Sequence, residues 1–465
     1  MMNQQKIGFF ALAAMVIGSM VGGGAFNLPG AMAQSASAGP ILIGWSITGI
    51  GMIMLALVFQ HLANSKPELE GGIYAYAREG FGRFVGFNSA WGYWVSAWIG
   101  TVANITLVFN AISYFFPIFA AENRIFLLLM SVVVIWGLFW LVSSGIKEAT
   151  LVNLITTIAK LVPILIFILL VGIAFNIKTF NLDIWGEGTE LGSIFDQVKG
   201  TMLVTLWAFV GIEGAVVLSS RAKNRSDVGK ATVTGLVGVL IIYILISVLS
   251  LGVLSQEQLA GLKEPTMAYV LEAAIGPIGA TIIMIGLIIS LSGALLGWTI
   301  LASEISYLVA KDGAFPKAFA KTNRKGAPVG ALLITQIATQ VVAGIALFSA
   351  QTYLVLSSIA GICALLPYLL SALYSIRISR EERNQKMLLF SVIASAYSIW
   401  LVYASGIWYI VIAALVYAPG ILAYALAERE QQRTGMSRYE WIASMILVVL
   451  AGVAVYGMVV GEIQL

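Results

Sequence analysis

Thirteen runs of about 20 apolar residues, beginning near residues 7, 40, 84, 125, 149, 198, 230, 277, 328, 353, 387, 406 and 441, take up most of this 465-residue chain. That length is what one α-helix needs to cross the hydrocarbon core of a bilayer. Lipid offers the backbone no hydrogen-bonding partner, so runs of this kind must close their hydrogen bonds internally as helices. The expected class is an all-α polytopic membrane protein with 12–13 transmembrane helices. Composition agrees: 60% of residues are hydrophobic and 10% charged, and the mean hydropathy is +0.94.

Charge placement sets the orientation. Assigning Lys and Arg to alternate loops, with the N-terminus inside, puts 21 on the cytoplasmic side and four outside, namely Arg124, Lys178, Lys199 and Lys263. Basic residues are retained on the cytoplasmic side, so the expected topology has a cytoplasmic N-terminus in the inner (cytoplasmic) cell membrane. The stretch open to two readings is 387–427, where only Ser405 and Gly406 separate adjacent runs and a re-entrant hairpin is the alternative to two crossings. The net charge of +4 lies in short loops, and no nucleic-acid footprint accompanies it. The N-terminal run passes Gly18 to Ala25 without a convincing cleavage site and is read as a retained first span.

Two spans carry glycines where a helix should be continuous. Span one reads Gly18-Ser19-Met20-Val21-Gly22-Gly23-Gly24-Ala25-Phe26, and span six reads Leu206-Trp207-Ala208-Phe209-Val210-Gly211-Ile212-Glu213-Gly214. Small residues serve close helix packing, and a break at mid-depth marks a ligand site. The two stretches lie five spans apart, so they face opposite ways. That is what an inverted five-plus-five repeat with discontinuous spans one and six produces, with the site between them.

Polar groups inside the spans are costly and therefore candidates for function. Glu213 at the centre of a span costs about 2.5–3.5 kcal/mol even on the lenient insertion scale; it is expected to titrate with substrate or proton, or else to make a structural hydrogen bond. Lys160 shares a helix face with Asn153, Thr156 and Thr157, about a dozen residues from the cytoplasmic start of span five. An ammonium there can stand where a bound cation would otherwise join two helices. Pro163 is expected to bend that helix. In span three Ala97, Thr101 and Asn104 line one face, equally suited to interhelical glue or a pocket. Trp207 and Trp298, each near a glycine, cover a substrate by cation–π contact or pack.

Other classes lose ground. His61 is the sole histidine and reads as a boundary residue beside Asn64 and Lys66, while Cys363 is the sole cysteine. No metal-spaced His/Cys set, Ser-His-Asp set or phosphate-binding Walker loop is present, so neither an enzyme nor an ATP-driven pump is expected, and no cofactor or metal. Glu304, near Lys311, reads as a boundary carboxylate, and Asp183, Glu187, Glu190 and Asp196 as a solvated outer face.

Four segments in order carry a resemblance: Gly18 to Phe26 with Pro29, ELEGGIYAYAREGFG from Glu68 to Gly82, LWAFVGIEG around Glu213, and KDGAFPKAFAKTNRKGAPVGAL from Lys311 to Leu332. Together they resemble the amino acid-polyamine-organocation superfamily and, within it, the basic amino acid/polyamine antiporter family, most like its arginine/ornithine exchangers. The likeness covers residue 7 to about 427, with span thirteen and the basic loop before it (428–465) as an addition.

The resemblance implies inverted repeats over about 7–172 and 195–376 and an amino acid substrate between spans one and six. It implies that Ser19, Gly22, Gly23, Gly24, Trp207 and Val210 bind the substrate backbone, Trp207 acting as an aromatic gate. Ala97, Thr101, Asn104 and Trp298 would line the side-chain pocket, and Glu213 and Lys160 would serve coupling. The arginine/agmatine exchangers of the family carry Asn at the position of Ser19 and Met at that of Asn104, so substrate preference does not transfer. The expected function is exchange of arginine for ornithine by alternating access. Proton-coupled symport stays open, as do the histidine/histamine, lysine/cadaverine, agmatine/putrescine and tyrosine/tyramine pairs. Expected partners are these small molecules and the lipid bilayer, and a homodimer is left open.

Overall fold

The computed structural model describes residues 8–69, 72–144, 149–213, 223–346, 352–433 and 435–462, and among these the regular structure is entirely helical. In chain order the helices are α1 (Phe9–Met20), α2 (Gly23–Ala33), α3 (Ala38–Ser65), α4 (Ile73–Phe81), α5 (Arg83–Ser113), α6 (Arg124–Ser143) and α7 (Ala149–Ala174). There follow α8 (Ile177–Phe180), α9 (Ile194–Phe209), α10 (Arg225–Ser250), α11 (Gln256–Ala260), α12 (Thr266–Ile275), α13 (Pro277–Lys311), α14 (Val329–Ala346), α15 (Thr352–Glu381), α16 (Gln385–Glu430) and α17 (Arg438–Val460).

Among the described residues nine helices are long and apolar enough to cross a membrane, ten if the bent pair α1–α2 is one span. The thirteen runs of the sequence exceed this for identifiable reasons. The 46 residues of α16 count once, yet Gly406 within it has φ 80°, ψ 162°, so two helical runs meet there at a residue only glycine suits. Span six is α9, 16 residues long, followed by residues outside the description. The apolar faces also differ: 22% of the α6 and α17 windows is buried against 83% of α5, so α6 and α17 present side chains suited to lipid and α5 is a core helix.

The chain divides into two compact units. The first holds α1, α2, α3 as far as Gln60, α5 from Asn104, α7 to α12, and α13 as far as Ala294. Within it α1 packs on α7 and α10, and α2 on α9, α10, α11 and α12. Pro163 sits inside α7, and its ring fills the space beside Gly286. In the acidic stretch Glu187, Glu190 and Asp196 are exposed, and Asp183 is tied into its loop. Asp183 accepts hydrogen bonds from the backbone N–H groups of Gly186, Glu187 and Gly188 at 2.8, 3.0 and 2.9 Å, which hold its carboxyl below the usual range. Asp196 completes a capping box with Ser193 at the start of α9.

The second unit holds α4, α5 as far as Ala103, α6, α13 from Leu295, and α14 to α17. Arg78 of α4 pairs with Asp312, which also accepts from the Tyr74 hydroxyl at 2.7 Å, joining two of the family-like segments. The His61 ring, near the end of α3, lies between Ser65, Ser379 and Glu382, with Nε2 3.5 Å from the Glu382 carboxylate. Pro367 interrupts α15 and has no N–H for the Cys363 carbonyl four residues back. The Tyr417 hydroxyl of α16 donates to that carbonyl at 3.1 Å, passing through the space left by the missing side chain of Gly92. Tyr417→Phe orphans a buried carbonyl, at a cost of about 1–3 kcal/mol. The variant is expected to melt several degrees lower in detergent than the parent protein, and an unchanged melting temperature would show the bond to be dispensable.

Candidate functional site

The break in span one is two residues wide. Val21 (φ −73°, ψ 95°) and Gly22 (φ −134°, ψ −154°) are extended, and α1 and α2 on either side meet at a bend of 44°. A helix that stops inside a protein leaves its last carbonyls and the first N–H groups of its successor without partners. At the end of α1 the carbonyls find several. Ile17 accepts from the Val21 N–H at 2.8 Å, Gly18 from Lys160 Nζ at 2.7 Å, and Met20 from the Tyr243 hydroxyl at 2.8 Å.

Lys160 is 2% exposed, and its ammonium links α7 to the end of α1. The side chains of Asn153, Thr156 and Thr157, expected on its face, lie outside the described portion of the chain. Tyr243 is a residue that the sequence reading missed. Its ring stands 5.5 Å from Phe209 and 6.1 Å from Trp45, so it braces the last residue of α9 as well as the end of α1. The signal was present as a single tyrosine in the apolar run of span seven, since a buried phenol needs an acceptor.

Span six breaks at the matching place. α9 ends at Phe209; Val210 follows with its N–H 3.2 Å from the Trp207 carbonyl, and Gly211 takes φ +111°. A Cβ on Gly211 would lie 2.8 Å from the Ser19 carbonyl oxygen, so the two breaks touch. The Ser19 hydroxyl, with one proton to give, is 2.8 Å from the Gly211 carbonyl and 2.9 Å from that of Val16. Glu213 is fully buried and accepts from the Gly211 N–H at 3.2 Å. Residue 214 of the motif lies outside the described portion.

Ser19, Gly24, Lys160, Trp207, Gly211 and Glu213 therefore come together in the first unit. Gly22, Gly23 and Gly24 present the N-terminal turn of α2, where backbone N–H groups and the helix dipole favour a negative group. Trp207 lies against this turn, its Cδ1 3.3 Å from where a Cβ on Gly24 would be. Asn104, also in the first unit, is buried with its Oδ1 unpartnered. The arrangement offers backbone N–H groups that suit a carboxylate, with the Trp207 indole beside them at Gly24.

The remaining expected residues belong to the second unit. Ala97 and Thr101 are buried on α5, and the Thr101 hydroxyl donates to the Ala97 carbonyl at 2.9 Å, which leaves it free only to accept. Nearby on α5 the Ser96 hydroxyl and the Trp98 indole N–H are buried without a partner. Trp298 is half-buried on α13. No group of His, Cys, Asp and Glu able to hold a metal occurs among the described residues.

Residues 7–451 match the amino acid permease family. The chain is 45% identical, over all of its length and 99% of the relative's, to an arginine/ornithine antiporter of Pseudomonas aeruginosa. It is 41% identical to an arginine/agmatine antiporter of Chlamydia trachomatis, with 97% of this chain and 96% of the relative covered. A further arginine/ornithine antiporter, from Latilactobacillus sakei, is 40% identical, with 99% and 98% covered. Two helices broken at facing points, inside an all-helical chain with this many apolar spans, agree with these likenesses, and the chain belongs to the amino acid permease family.

Proposed function

We propose that this protein exchanges arginine for ornithine across the cytoplasmic membrane by alternating access, as a carrier that performs no covalent chemistry. The observation that carries the reading is the full-length identity of 45% to the Pseudomonas arginine/ornithine antiporter, joined to a break whose helix-start N–H groups suit an amino acid carboxylate. The excess of basic residues in alternate loops supports a cytoplasmic N-terminus.

In this reading the Gly22, Gly23 and Gly24 N–H groups bind the substrate carboxylate. Carbonyls at the ends of α1 and α9 take its ammonium. Ser19 and Val210 shape that end of the site, and Trp207 closes over it. Ala97, Thr101, Asn104 and Trp298 select the side chain. Inverted repeats over about 7–172 and 195–376 supply the two faces, and spans one, two, six and seven rock against the rest. Residues 428–465 add one span to this core. Lys160 holds the end of α1 in place of a bound cation, and Glu213 couples exchange to pH.

The test is uptake of labelled arginine into proteoliposomes. Uptake is expected only when the lumen holds ornithine. Uptake that needs no internal substrate and follows a proton gradient would overturn exchange, and agmatine replacing ornithine at equal rate would move the chain toward the arginine/agmatine pair. Glu213→Gln keeps an acceptor for the Gly211 N–H and removes the charge. Its pH dependence is expected to weaken with the fold intact, and a parental profile would remove Glu213 from coupling.

A further inference from the structure

The second half of α2 is tied to the short helices α11 and α12 by hydrogen bonds, several of which serve a helix end. Gln256 Nε2 donates to the Ala33 carbonyl at 2.6 Å, and Gln34 Nε2 to the Ala260 carbonyl at 3.2 Å. The Thr266 N–H, first of α12 and lacking a cap of its own, donates to Asn27 Oδ1 at 3.2 Å. The Gly30 N–H donates to Thr266 Oγ1 at 3.1 Å. Asn27 is buried, and because its Oδ1 must face the Thr266 N–H, its Nδ2 has one direction left. It points at Glu264 Oε1, 2.9 Å away.

Glu264 is a mostly buried carboxyl that nothing in the transport reading uses. Burial pushes it up from 4.5 to about 7, with the Asn27 hydrogen bond opposing in part. Charged groups on the surrounding elements do not enter. The α2 helix has no ionisable side chain; α11 carries Glu257, the connecting loop Lys263, and α12 carries Tyr269 and Glu272. Farther off, α9 carries Asp196 and Lys199, and α7 carries Lys160. None of them contributes to the shift.

We infer that Glu264 is a proton-binding, positioning residue: protonated, it lets α2 and the segment Gln256–Ile275 close as one body; ionised, it favours release of that segment to water. The sign follows from linkage. The closed arrangement holds the carboxyl at about 7 and a hydrated one near 4.5, so the closed arrangement binds the proton more tightly. Acidification stabilises closure, and raising the pH through about 7 weakens it. Across pH 5 to 8 this changes the closing equilibrium on the order of 50-fold. The inference rests on the exchange reading above for the placement of this segment on the outer face.

The experiment has two arms. Infrared difference titration of the whole protein in lipid, parent against Glu264→Gln, reads the proton site with no need of transport. A carboxyl band titrating near 7 and absent from the variant is expected, and a band in the ordinary carboxylate range would overturn the inference. Asn27→Asp keeps the acceptor for Thr266 and sets a second carboxylate against Glu264; the band is expected to move higher, and an unmoved band would show that the two side chains do not meet. In the second arm, ornithine-loaded vesicles take up labelled arginine at external pH 5 to 8. The parent is expected to slow several-fold toward pH 5, and Glu264→Gln to be slow throughout with KM little changed. A parental pH profile in Glu264→Gln would overturn the positioning role. If the parent exchanges no arginine at any pH, the proposed function fails and the infrared arm alone decides the proton site.

Discussion

Gly211→Ala is expected to reduce exchange at least 100-fold while leaving a protein that inserts and purifies as a single species. The backbone at Gly211, φ +111°, is one that residues with a Cβ adopt only with strain, about 1–3 kcal/mol. The added methyl would also stand 2.8 Å from the Ser19 carbonyl oxygen. Relief of that contact requires the end of α1 to move, and the neighbouring Gly18 and Met20 carbonyls are held there by Lys160 and Tyr243. Both costs fall at a contact between the two broken spans, and about 2.8 kcal/mol on a barrier is a factor of 100. Counterflow rates read beside a size-exclusion profile check this. Exchange within threefold of the parent would mean that the breaks need not touch.

Lys160→Met is expected to lower exchange at least tenfold. Met keeps the apolar stem of the side chain and removes the donor, so the Gly18 carbonyl is left buried and unpaired at a cost of about 1–3 kcal/mol. The cost is borne by the junction of α1 with α7, where the first span ends. Exchange rate and melting temperature measured together separate the outcomes. A variant that transports normally would make Lys160 a packing residue.

Much of the fold was legible because a bilayer restricts what a chain can do. Run length alone announced the helices, and the glycines at 22–24 and 211 announced where two of them stop. In the stretch 387–427, which the sequence left open to two readings, the two helical runs meet at Gly406, one of the two residues that separate them in the sequence. Lys160 was legible as a misplaced charge, although its acceptor was not. Tyr243 and Glu264 were missed for a common reason: each acts through an atom distant in sequence, the Met20 carbonyl and the Asn27 amide, and spacing along the chain encodes neither pairing. Asp183 was read as solvated along with its neighbours because a carboxylate bound by three backbone N–H groups has the same composition as a free one.

The sequence by itself determined the class of protein and the places where helices break, since these follow from hydrophobic run length and from glycine. Tertiary structure decided which groups complete the break. Lys160 reaches Gly18, and Ser19 turns to Gly211 and Val16. A helix that stops inside lipid leaves carbonyls that must be satisfied, and only the packing of α7, α9 and α10 around α1 determines which side chain arrives.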